Sequence, residues 1–204
     1  MTGKALRYFS VFALLALALA LSVAAGAQEP QVSQPKIDWQ RGPTVGDLGG
    51  MAQIKVPQGY AFADKRGAEQ VLQLTQNIPN GEEMGVLISQ TGSWFMIFRY
   101  EGTGYVKDTD KDALDADDIL KNMKNGTEQA NEQRKARGYP AFHVTGWERT
   151  PFYDPLTHNL TWAIRGKGDS PLDSGSVNHS IRLLGRTESS KSTWLFSLLS
   201  MQAQ

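Results

Sequence analysis

Residues 94–100 read Trp-Phe-Met-Ile-Phe-Arg-Tyr, and any strand they form is apolar on both sides. Strand side chains alternate between faces, so Trp94, Met96, Phe98 and Tyr100 share one face while Phe95 and Ile97 share the other. A strand open to water on one side would carry polar residues there. This segment therefore predicts a central strand with something packed over each face, which restricts the chain to a layered fold. A second run, Met84 to Ser89, precedes it across Thr91-Gly92-Ser93, the pattern of a β-hairpin.

The remaining elements follow from periodicity and punctuation. Met51 to Val56 alternates as a short strand closed by Pro57 and Gly59. Ala68, Val71, Leu72 and Thr75 fall at i, i+3, i+4 and i+7, which predicts an amphipathic helix over residues 66–76 with Asp64 as its cap. A longer helix is expected from Asp117 to Arg137. Asp115 to Asp118 lie at its positive end, Arg134, Lys135 and Arg137 at its negative end, and Gly138 then Pro140 stop it. Its stripe of Ile119, Met123, Gly126, Thr127 and Ala130 is mostly small. Glycine inside a helix costs about 1 kcal/mol relative to alanine, so a close contact is expected to compensate at Gly126. The last third reads as four strands: Phe142 to Glu148, Asn159 to Arg165, Val177 to Arg186 and Thr193 to Leu199. Grouped strands define an α+β class: a mainly antiparallel sheet with two helices and a C-terminal four-strand meander.

The chain also carries an export pattern. Lys4 and Arg7 precede the apolar run Phe9 to Val23, and Ala25-Gly26-Ala27 supplies small residues at a cleavage site. Residues 1–27 thus form a signal peptide, with an N-terminal membrane anchor as the alternative; residues 8–25 contact the membrane before or without cleavage. Pro30, Pro35, Pro43 and Gly49-Gly50 mark residues 28–50 as a flexible leader with Trp39 as an anchor, and residues 51–204 make a single α+β domain. The expected location is the periplasm or cell envelope. The chain has no cysteine, so neither a disulfide nor a lipid-bearing thiol is available, and stability rests on the apolar core. With 21 basic against 21 acidic residues, the charge carries no signature of nucleic-acid binding.

A family resemblance enters through Gly104-Tyr105-Val106-Lys107-Asp108, Asn131-Glu132-Gln133-Arg134, Gly138-Tyr139-Pro140, Gly146-Trp147, Tyr153-Asp154, Trp162-Ala163-Ile164 and Leu184-Gly185-Arg186. With these motifs in this order from about Trp39 to Arg186, the chain resembles a family of uncharacterised bacterial membrane-anchored proteins, a domain of unknown function. The resemblance implies location and architecture and brings no established activity. Such proteins continue into a glycine- and alanine-rich segment and a C-terminal hydrophobic anchor, whereas this chain stops at Gln204. That departure leaves two expectations: a truncated relative released into the periplasm, or a chain tethered only by its N-terminal segment.

Chemistry has few candidates. Asp108, Asp110, Asp112 and Asp115 form the densest set of oxygen ligands and could hold Ca²⁺. Ala113 stands where an EF-hand loop starting at Asp108 needs glycine, and Ile119 where it needs a bidentate glutamate, so the simpler reading is an acidic loop capping the next helix. His143, His158 and His179 have no metal-motif spacing. No serine lies in G-x-S-x-G. Arg182 and Arg186 share a strand face, where they could grip an anion or pair with Glu148 or Asp154; Trp147 is a further ligand candidate. The leading expectation is a non-catalytic envelope module that binds a protein or other membrane-associated component. A metal-binding or hydrolytic domain and a truncated inactive relative are the alternatives.

Overall fold

The two-faced strand sits where its sequence demands. The computed structural model describes residues 36–102, 114–170, 173–186 and 191–200, with backbone alone for 184–186 and 191–200. Its strands are β1 (Gln40–Arg41), β2 (Thr44–Asp47), β3 (Gln53–Val56), β4 (Tyr60–Asp64), β5 (Glu83–Ser89), β6 (Trp94–Glu101), β7 (Phe142–Asp154), β8 (Asn159–Gly168), β9 (Ser176–Arg186) and β10 (Lys191–Ser200). Two helices, α1 (Lys65–Leu74) and α2 (Ala116–Ala136), complete the described elements. Eight strands form one sheet in the order β1-β4-β5-β6-β10-β9-β8-β7, with every pairing antiparallel. The fold is α+β, and β7 to β10 pair in chain order as a meander.

The β6 strand lies between β5 and β10. On one face Phe95 and Ile97 meet Ala63, Val86 and the α1 residues Ala68, Val71 and Leu72. On the other, Phe98 joins Phe62 under Leu48 and Val56 of the β2–β3 hairpin. Helix, sheet and hairpin thus make three layers around β4–β6, where most of the fully buried side chains lie. The Asp64 carboxylate accepts a 3.0 Å hydrogen bond from the Gly67 N–H and starts α1 as expected. At its C-terminal end the Asn77 N–H reaches the Leu72 carbonyl and Gln76 adopts φ +56°, a left-handed cap made without glycine.

The expected leader over residues 28–50 requires correction. Residues 40–50 belong to the fold: β1 pairs with β4, β2 pairs with β3, and Leu48 is a core residue only 1% exposed. Trp39 packs beside the α1 core. Pro43 lies between β1 and β2, and Gly49-Gly50 forms the β2–β3 turn, where the Asp47 carboxylate accepts the Gly50 N–H. These residues punctuate a hairpin, and the same composition read locally resembles a linker. The expected signal segment lies outside the described residues, among which no helix is long and apolar enough to cross a membrane.

A second correction concerns α2. Its ends match the sequence reading. Asp115 accepts the N–H groups of Asp117 and Asp118, Asp117 and Asp118 occupy the first turn, and Arg134 and Lys135 the last. Gly138 at φ +71° lets the Tyr139 N–H return to the Arg134 carbonyl. Yet no α2 residue is fully buried, and a methyl added at Gly126 would meet nothing within 4 Å. The stripe faces the sheet without touching it closely. Gly126→Ala is therefore expected to stabilise the protein by up to about 1 kcal/mol, measured by urea denaturation. An equal loss of stability would instead reveal a contact at that position.

Candidate functional site

The gap beneath α2 is a groove. It has a volume of about 450 Å³ and runs between the helix and the face of β7–β9. Met123, Gly126, Thr127, Ala130 and Arg134 form its roof, and Phe142, Trp162, Ile164 and Ser180 its floor, with Ile78 at the side. Trp162 is opposite Ser180 in the β8–β9 register and Ile164 is opposite Asn178, so the floor is one continuous sheet face. The volume lies within the ~300–1,000 Å³ of ordinary small-molecule sites, which are mostly apolar with a few placed polar groups.

Polar side chains hold the roof in place. Asn131 donates its amide to the Phe142 carbonyl at 3.0 Å and accepts the Phe142 N–H at 2.9 Å, so it pairs with the outer edge of β7 as a strand would. Arg134 donates from Nε to the Pro140 carbonyl and from Nη1 to the Gln76 carbonyl, tying the end of α2 to the end of α1. Its guanidinium also lies 6.0 Å from the Phe142 ring centroid. Burial lowers its pKa, but an arginine stays charged throughout the working range. No carboxylate among the described residues pairs with it.

His143, next to the groove residue Phe142, links α2 to the sheet. Nδ1 lies 2.7 Å from Glu128 of α2, and Nε2 lies 3.0 Å from Asp169 beyond β8. With both ring nitrogens engaged, the imidazole has none left for proton transfer to a substrate. It is a clamp. The Glu128 hydrogen bond raises the His143 pKa, and the His143 and Asn131 hydrogen bonds lower that of Glu128. A raised histidine contributes fully below its unfolded value and loses that contribution as pH rises through the folded one. A lowered carboxylate contributes above its unfolded value and loses that contribution as pH falls through the folded one. The clamp therefore contributes fully between the ordinary glutamate value of about 4.5 and the ordinary histidine value of about 6.5, and weakens as pH falls toward the depressed Glu128 value or rises through the raised His143 value. An NMR titration is expected to place His143 above about 6.5 and Glu128→Gln to bring it down; an unchanged midpoint would exclude the pairing.

The sequence candidates scatter. Asp108, Asp110 and Asp112 lie outside the described residues, and Asp115 is the α2 cap. His143, His158 and His179 occupy the start of β7, the β7–β8 turn and the middle of β9. The hydroxyl of Tyr153 lies 2.8 Å from His158 Nδ1. Among the described residues no three histidines or carboxylates are placed to hold a metal. Trp147 donates its indole N–H to the Ala116 carbonyl at 3.3 Å, fastening the start of α2 to β7. Arg186 lies in β9, its side chain outside the description.

Arg182 lies 5.5 Å from the Trp162 ring centroid and 3.6 Å from Glu101, not beside Glu148 or Asp154. Glu148 is held by Arg165 at 2.6 Å, and Asp154 caps its own turn through Leu156 and Thr157. The reason is topological: Leu195 of β10 is the register partner of both Arg182 and Arg99, which brings β6 and its Glu101 near β9. Sequence reasoning missed Glu128, Asn131 and Asp169 as site residues and saw Arg134 only as a helix-end charge. Asn131 and Arg134 lie within a quoted motif, and that was the only available signal.

An α+β domain with a helix-roofed groove is the class these features define. The model of the family described as "Protein of unknown function (DUF2167)" matches residues 40–203, and the chain belongs to that family. Neither a curated protein nor a solved structure matches it.

Proposed function

We propose that this protein is an exported, non-catalytic binding module of the bacterial cell envelope, and that the groove under α2 is its binding surface. One observation carries the binding reading: a helix of 21 residues stands over the sheet with none of its side chains fully buried, leaving an apolar cleft. Both helix ends are capped, and Arg134, Asn131 and Trp147 hold the helix to its neighbours, so the cleft is built into the fold. Export rests on the charged start, apolar run and small-residue site of residues 1–27, which also supply a tether if the segment is retained.

Because the chain lacks cysteine, Ala130→Cys places a single thiol on the roof for a polarity-sensitive dye. The labelled protein, expressed with its own leader, is expected to report a less polar setting when an extract of the producing cell's envelope is added. A dye that never responds would remove the groove from the proposal. Mass spectrometry of the purified protein is expected to find Gln28 as the first residue. A full-length chain recovered from the cytoplasm would end the export reading.

A further inference from the structure

We infer that the groove takes an unbranched acyl chain carrying an anionic head group, with Arg134 at the head. The inference rests on the groove being the binding surface and adds the ligand class. Two features select it. The lining between Met123 and Arg134 offers little for a peptide backbone, which needs a donor or acceptor at nearly every residue. Thr127 already donates its hydroxyl to the Met123 carbonyl, leaving Ser180 as the one other hydroxyl among the described lining residues. A hydrocarbon chain makes no such demand. The helix rise puts Met123 and Arg134 about 16 Å apart along the roof, a length suited to an extended chain.

The charge supplies the second feature. Arg134 uses Nε and Nη1 on two neutral carbonyls, and its Nη2 has no hydrogen-bond partner among the described residues. A half-buried guanidinium that no carboxylate among the described residues neutralises favours an anion at its open edge, where a charge-assisted hydrogen bond forms. An uncharged alcohol of the same chain length would satisfy the apolar lining and forgo that bond.

Calorimetry on the delipidated protein, purified after expression with its own leader, tests this with laurate and dodecanol, each below its aggregation concentration. Laurate is expected to bind once per chain and saturably, and roughly tenfold more tightly than dodecanol, the size of one charge-assisted hydrogen bond. Arg134→Gln should erase that preference. Gly126→Leu, which fills open space on an otherwise intact helix, should abolish binding of both. Equal affinity for the two compounds, or laurate binding that survives Gly126→Leu, overturns the inference. So does silence with laurate while the Ala130→Cys dye still answers to envelope extract; that result leaves the binding module standing and points to an occupant of another class, such as a peptide.

Discussion

Replacing Glu83 with alanine is expected to destabilise the protein by about 3–5 kcal/mol, the range for breaking a buried ion pair by removing one partner. Glu83 is wholly buried at the start of β5, the only buried charged side chain among the described residues. Its carboxylate accepts the Asn80 N–H at 3.1 Å and the Gly81 N–H at 2.9 Å, holding the turn that leads into the central hairpin. Arg99 of β6 lies 3.5 Å away and balances the charge. Alanine would leave two turn donors unsatisfied and the guanidinium without its counter-charge. For a chain of this size the loss corresponds to roughly 6–20 °C in melting temperature. Glu83→Gln should cost less, since it keeps the shape and one acceptor. A calorimetric melt of Glu83→Ala within a degree or two of the parent would mean that the carboxylate is dispensable.

Phe62→Ala should rival that loss, at about 3–5 kcal/mol. Phe62 is 1% exposed and lies where β4, β5 and the β2–β3 hairpin meet. Two glycines make room for its ring: a Cβ on Gly46 would come within 2.7 Å of it, and one on Gly85 within 2.6 Å. Truncation would remove the ring's burial and leave a cavity that rigid strands on both sides cannot close. The reverse change also follows. Gly46→Ala or Gly85→Ala should destabilise by about 1–3 kcal/mol through overpacking. Combining Gly85→Ala with Phe62→Leu should recover part of that loss in urea melts, because the two changes share one space. Strict additivity would show that the ring and the glycine are not in contact.

The parts legible in the sequence were those whose signals lie within about ten residues. Asp64 and Asp115 mark helix starts because a cap bonds the next turn, and Gly138 marks an end because its conformation is local. The β5–β6 hairpin is written in two largely apolar runs and a short turn. The groove was illegible for a definite reason. Periodicity reveals which side of α2 faces the sheet, but not how far away the sheet stands. Gly126 was therefore read as a close contact when it roofs an open space.

The residues alone determined both helices, the strands from β5 onward, the two-sided burial of β6, the reliance on an apolar core without disulfides, and the α+β class. Only the tertiary structure decided that β10 inserts between β6 and β9, that Arg182 consequently meets Glu101, and that residues 40–50 complete the sheet and its hairpin cover. The division has a physical origin. Caps, turns and amphipathic faces are set by interactions between near neighbours in the chain, whereas strand order and the width of a groove come from pairings between segments far apart in sequence, which no local pattern encodes.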